Sequence, residues 1–271
     1  LPVFHISKKR MIRFTKMFFL IVVALVLYIN VFAKMGVKEN EDNTNKVILK
    51  AEQNYNNESH DVVVDDSLEK EDNQDVQTES NVAEVKKESV TEEEKAVLNA
   101  FYKENNEFIG LLKSDLITLP IYKTANNKKY LKIGQDGKSK NSAGAIFEDT
   151  RSTENDLVFW GHHMKSGMFK FVDQMATNKD IFDSMKSSFV FYSFKDGNAE
   201  KYQLNAMYAL TGVDTGEVDR DFPLSKNFLD NKEVTQGEVS EASNQLVMGT
   251  CNYSYTKKAH AYVVFNMTIA D

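Results

Sequence analysis

The hydrophobic positions of this 271-residue chain fall into three regimes. Met17 to Ala33 (MFFLIVVALVLYINVFA) is an apolar run without a charge. At ~1.5 Å of rise per residue, a helix of this length sits at the short end of what spans a bilayer. From Lys34 to about Ser89 the chain is dominated by Asn, Asp, Glu, Ser and Lys, with only short apolar clusters such as Val62-Val63-Val64. So little apolar area does not offset the entropy of ordering, and the stretch reads as a flexible, self-repelling stalk. Periodic apolar spacing resumes near Thr91. Thr91-Glu92-Glu93-Glu94 has the capping-box form, a hydroxyl at the N-cap and a carboxylate three residues on. Val97, Leu98, Phe101 and Tyr102 follow at helical spacing. Phe108, Ile109, Leu111 and Leu112 extend the apolar set toward Asp115, and Pro120 ends the helical reading.

Beyond Pro120 the pattern turns to strands. Tyr130–Ile133, Ala145–Glu148, Leu157–His162, Phe189–Phe194, Lys201–Val213, Gln245–Cys251 and Tyr262–Ile269 carry β-branched and aromatic enrichment. Asp196-Gly197 lies between two of these runs and predicts a hairpin, because glycine accepts positive φ at no steric cost. Helices are expected around Phe169–Met175, Ile181–Met185 and Leu224–Ala242. Many short strands with a few inserted helices predict a mainly β domain, either a barrel or a sandwich.

Charge sharpens the division. Lys34 to Glu92 holds 7 lysines against 16 acidic residues, whereas the rest of the chain carries 26 basic and 24 acidic. The formal charge of −7 gives no basic surface of the kind that neutralises nucleic-acid phosphates. Lys8, Lys9, Arg10, Arg13 and Lys16 precede the apolar run, which by the positive-inside bias keeps the N-terminus cytoplasmic. A cleaved signal peptide ending near Ala33 is the alternative to an uncleaved anchor. Both readings send the remainder outside the cytoplasm. The expected organisation is a basic segment at 1–16, an anchor at 17–33, a stalk at 34–90 and a domain at 91–271.

Two strand ends carry candidate chemistry. Trp160-Gly161-His162-His163 closes one apolar run, and Gly249-Thr250-Cys251 closes another. Cys251 is the only cysteine, so no intramolecular disulfide forms and a lone exported thiol invites a chemical role. A thiol with the ordinary pKa of about 8.5 needs a neighbour to ionise at neutral pH, and an imidazole can stabilise the thiolate or protonate a leaving group. Successive side chains on a strand face opposite ways, so His162 and His163 are poorly placed to share a metal ion.

From about Asn106 to the C-terminus the chain resembles a class B sortase. The resemblance is carried by Asn106-Glu107-Phe108-Ile109-Gly110-Leu111-Leu112, Leu119-Pro120-Ile121-Tyr122, Tyr130-Leu131, Gly144-Ala145-Ile146-Phe147 and Asp149. It is densest at Phe159-Trp160-Gly161-His162-His163-Met164-Lys165 with Gly167-Met168-Phe169, and thinner at Leu246-Val247-Met248-Gly249-Thr250-Cys251. The resemblance implies a sortase-type eight-stranded β-barrel with an N-terminal helical extension and short inserted helices. It implies a membrane-anchored cysteine transpeptidase that cleaves the C-terminal sorting signal of secreted proteins and passes the acyl group to a cell-wall or pilin amine. Cys251 maps to the nucleophile, His162 to the catalytic histidine and Thr250 to a substrate-binding position, with no metal or organic cofactor. One position departs from the family pattern. The residue before the run Tyr262-Val263-Val264, where the family carries an arginine, is Ala261, and His260 beside it is the candidate substitute. A surface binding or assembly protein on the same fold, and an extracytoplasmic cysteine hydrolase, are the alternatives.

Overall fold

A computed structural model describes residues 35, 38–57, 88–114, 117–164, 167–185, 189–210, 222–238 and 244–251, and the backbone of strand 262–269. The element order opens with helix α1 (38–57), strand β1 (Glu88–Ser89) and helix α2 (Glu92–Glu104). Strands β2 (Phe108–Lys113), β3 (Thr118–Tyr122), β4 (Ile146–Glu148) and β5 (Asp156–Trp160) follow. A small hairpin, β6 (His163–Met164) and β7 (Gly167–Met168), leads into helices α3 (Lys170–Thr177) and α4 (Lys179–Ser184). The chain continues through β8 (Phe189–Ser193), β9 (Asn198–Leu210), α5 (Lys226–Asp230), β10 (Lys232–Gly237), β11 (Gln245–Cys251) and β12 (Tyr262–Ile269).

Eight of the described strands close into a ring. The order β9-β12-β11-β5-β4-β3-β2-β8 returns to its start because β8 pairs with both β2 and β9. Closure removes the exposed sheet edge that invites pairing with other chains. Most neighbours are antiparallel; β3–β4 and β5–β11 are parallel. Residues alternate between two apolar clusters on the two faces. On β5, Phe159 joins Leu246, Met248, Phe169, Val172 and Met175 on the face covered by α3 and α4. Val158 and Trp160 join Val247, Tyr208, Tyr122 and Phe147 on the other face, which also receives Leu98 and Phe101 of α2.

Local signals account for several elements. Thr91 caps α2 through a complete capping box, with the Glu94 N–H donating to its hydroxyl and the Glu94 carboxylate accepting from its N–H. Gly197 sits at φ 63 in the β8–β9 hairpin, as Asp196-Gly197 predicts. Three expectations are corrected. Phe108–Lys113 is a strand rather than the tail of a helix, because pairing on both sides with β3 and β8 outweighs a short apolar run's helical spacing. Tyr130 lies in a 3-10 turn at Lys129–Leu131, not a strand, and its hydroxyl donates to Glu107. Among the described residues of the helix expected over Leu224–Ala242, only Lys226–Asp230 is helical, and Lys232–Gly237 pairs with β9.

The stalk expectation also changes. Residues 38–57 are helical and lie against the barrel, with Ala51 buried and Val47 and Ile48 packed on the α2-side cluster. Polar contacts pin the helix. The Asn40 side-chain amide donates to the Gly144 carbonyl at 2.8 Å, Asn141 donates to Asn40 Oδ1 at 3.2 Å, and Thr44 meets the Gln135 side chain. Composition alone hides this, since an amphipathic helix needs only a narrow apolar stripe when buried amides supply the rest. Among the described residues no helix is long and apolar enough to cross a membrane. The expected anchor, Met17–Ala33, lies outside the described residues.

Replacing Asn40 with Ala should test the docking, because it orphans the buried Gly144 carbonyl. We expect a loss of about 1–3 kcal/mol, read as a lower urea midpoint with an unchanged denaturant slope.

Candidate active site

The site rests on the parallel pair β5–β11. Gln245 lies opposite Asp156 and Gly249 opposite Trp160, and the Gly161 N–H continues the ladder by donating to the Gly249 carbonyl at 3.2 Å. Parallel neighbours end on the same rim. Two residues past the last registered pair lie His162, just beyond the end of β5, and Cys251, the last residue of β11. Adjacent strands are about 4.8 Å apart, so the segments that carry the two residues leave the sheet at one rim although 89 residues separate them in sequence.

Alternation assigns the faces. Cys251 and His162 follow Gly249 and Trp160 on the face of α2, whereas Thr250, Gly161 and His163 follow Met248 and Phe159 on the face of α3. Three contacts agree. A side chain at Gly249 would come within 2.5 Å of the Trp160 ring, and one at Gly161 within 2.9 Å of the Phe169 ring. His163 Nε2 lies 3.1 Å from the buried Asp173 carboxylate of α3. The two adjacent histidines therefore serve opposite faces.

His162 is half-buried, and its Nε2 lies 2.8 Å from the Leu131 carbonyl. A carbonyl only accepts, so this contact places the proton on Nε2 and leaves Nδ1 as the nitrogen free for chemistry. Cys251, which forms no disulfide, is half-buried at the last position of β11, opposite Tyr262 of β12. Thr250 is 1% exposed, and its hydroxyl donates to the Gly161 carbonyl at 2.9 Å. This bond ties the cysteine strand to the segment that carries His162. His260 and Ala261 lie outside the described residues.

A buried carboxylate supports the floor. Asp149 is fully buried and accepts from the Trp160 indole at 2.8 Å and from Arg151 at both oxygens, 2.8 Å from Nε and 2.7 Å from Nη2. The guanidinium in turn lies 4.8 Å over the Phe222 ring. Burial pushes the Asp149 pKa up, but Arg151, Trp160 and the Arg151 N–H outweigh it and hold the carboxyl below its ordinary value. Trp160 is thus fixed from below, and Gly249 is the small residue that lets β11 cross its ring. The sequence marks Asp149 only as part of a motif. The signal for its role was the buried indole, whose N–H needs an acceptor.

No family model matches the chain, and no curated protein matches it. Solved structures do. A Bacillus anthracis protein similar to sortase B superposes with a TM-score of 0.51 at 20% identity, covering 68% of this chain and 88% of that one. A mutant form of Clostridium perfringens sortase B gives 0.51 at 18% identity, covering 66% and 90%. The Staphylococcus aureus sortase B–substrate complex gives 0.50 at 19%, covering 65% and 86%. The fold is a sortase fold. Its ring of eight strands with short inserted helices is the architecture the resemblance implied.

Asp149 carries a pH-dependent share of stability. Its folded pKa is depressed, so the stabilisation is complete above the ordinary value of 3.8 and disappears as pH falls through the lower folded value. Asp149→Asn should cost about 1–3 kcal/mol at pH 7. Urea titrations should show the gap between the two proteins closing as the pH is taken below about 4.

Proposed function

We propose that the chain is a membrane-anchored, extracytoplasmic cysteine transpeptidase of the sortase type. The observation that carries this reading is the parallel β5–β11 register, which favours a Cys251–His162 pair at one rim of the barrel. The substrate is the C-terminal sorting signal of a secreted surface protein. The Cys251 thiolate attacks a backbone carbonyl of the signal, and the tetrahedral adduct collapses to a thioester as the peptide nitrogen departs. His162 supplies the departing nitrogen's proton from Nδ1, while Nε2 stays bonded to Leu131. An amine of the cell wall or a pilin then attacks the thioester, giving its proton to Nδ1 and regenerating the thiolate.

Ala261 supports a second reading, a sortase-fold surface protein impaired in turnover. The family's arginine would hold the substrate carbonyl and the developing oxyanion; His260 is the nearby group proposed in its place. Losing one such donor typically costs about 10²–10³ in rate.

Incubating the protein with sorting-signal peptides and triglycine separates the readings. A peptide–triglycine product absent with Cys251→Ala supports the transpeptidase. Release of the cleaved peptide alone supports a hydrolase, and no thiol-dependent product supports the impaired protein. If Ala261 limits the rate, Ala261→Arg should raise turnover by roughly 10²–10³; an unchanged rate shows that the missing arginine is not the limit.

A further inference from the structure

The segment that carries His162 is held from three directions. The Leu131 carbonyl fixes its ring, and Thr250 fixes the preceding Gly161. The third restraint acts on the residue that follows. His163 opens the β6–β7 hairpin opposite Met168, and its Nε2 reaches back 3.1 Å to the carboxylate of Asp173 in the first turn of α3. Asp173 is completely buried and His163 only 12% exposed at its side chain. A carboxylate so deeply buried persists only with charged or hydrogen-bonding partners, and His163 is one of them. The hairpin also needs an outside hold. Met168 sits at φ 48, a left-handed conformation that non-glycine residues adopt only when their surroundings impose it. Phe169, next in sequence, is fully buried with its ring against Gly161. Hairpin, helix start and histidine segment therefore form one packed unit, closed by the His163–Asp173 contact.

We infer that Asp173 is a positioning residue for the catalytic centre, acting through His163 to fix the backbone that carries His162 beside Cys251. The contact lies on the α3 face, opposite the face to which alternation assigns His162 and Cys251. The inference rests on the Cys251–His162 pair proposed above.

Cys251 is the chain's only cysteine, so iodoacetamide reports on that one thiol without any knowledge of the substrate. The experiment measures the pH profile of alkylation of the full chain, with His162→Ala giving the thiol's behaviour without its imidazole. Asp173→Ala and His163→Ala should each slow alkylation at pH 7 by roughly three- to tenfold, moving the profile upward toward that of His162→Ala. The double variant should be no slower than either single variant, because both remove the same contact. Asp173→Asn keeps the shape and one acceptor oxygen, and should restore most of the wild-type profile. His163 lies on the hairpin rather than in the helix, so His163→Ala decides the question if Asp173→Ala does not fold. Wild-type profiles for both alanine variants, or additive effects in the double variant, would overturn the inference while leaving the Cys251–His162 pair standing. An unchanged profile for His162→Ala would instead overturn the pair, and the positioning role with it.

Discussion

Two strands running in the same direction end on the same edge of a sheet, and this constraint organises the candidate site. In an antiparallel pair, the residues that follow one strand lie beside those that precede the other. In the parallel pair β5–β11 both C-terminal ends emerge together, so the segments after Trp160 and Gly249 leave the barrel at one rim. Such a pair cannot be joined by a tight turn. The intervening chain forms the β6–β7 hairpin, α3, α4, α5 and strands β8 to β10 before it returns. Ordering so long a connection is costly, yet loop closure grows only slowly with length. The packing of α3 against both strands' neighbours, through Phe169, Val172 and Met175, is what fixes the return path.

The pairing is also demanding in volume. Gly249 crosses the Trp160 ring so closely that a methyl group there would fall 2.5 Å from a ring carbon. The indole has little freedom to yield, because its N–H is held by the buried Asp149 carboxylate and that carboxylate by Arg151. A buried anion is tolerated only when its hydrogen-bonding capacity is met, and here an indole, a guanidinium and a backbone N–H meet it. The register of the two site strands thus depends on an ion pair that neither strand contains.

The sequence disclosed local features well and long-range ones poorly. The Thr91 capping box, the Asp196-Gly197 turn and the bounds of β11 and β12 follow from nearest-neighbour chemistry, and the structure reproduces them. Phe108–Leu112 misled because a short apolar run satisfies both periods, and only pairing with β3 and β8 selects the strand. Helix α1 was hidden by its acidic, amide-rich composition, since its anchoring depends on Asn40 and Thr44 meeting partners about a hundred residues away. The site shows the same division. His162 and Cys251 were visible as polar residues ending apolar strands, but nothing local discloses that those strands are parallel neighbours. The bond from the Thr250 hydroxyl to the Gly161 carbonyl likewise had no local signal, since it joins segments 89 residues apart. Asp173 gave no sequence signal, because its significance lies in a contact with the second histidine.

The histidine's acceptor, the Leu131 carbonyl, follows from a chain of restraints that reaches the N-terminal helix. Leu131 ends the 3-10 turn whose Tyr130 hydroxyl donates to Glu107 and accepts from Asn105, the residue that caps α2. The Tyr130 carbonyl accepts from the Ala145 N–H, and the adjoining Gly144 carbonyl accepts from Asn40 of α1. Gly144 holds φ 63 and passes so close to the Tyr130 carbonyl that a side chain there would come within 2.1 Å. Both N-terminal helices therefore brace the turn that sets the His162 ring. A segment whose composition looks like spacer is tied, through a buried asparagine and a glycine without room for a side chain, to the orientation of the imidazole.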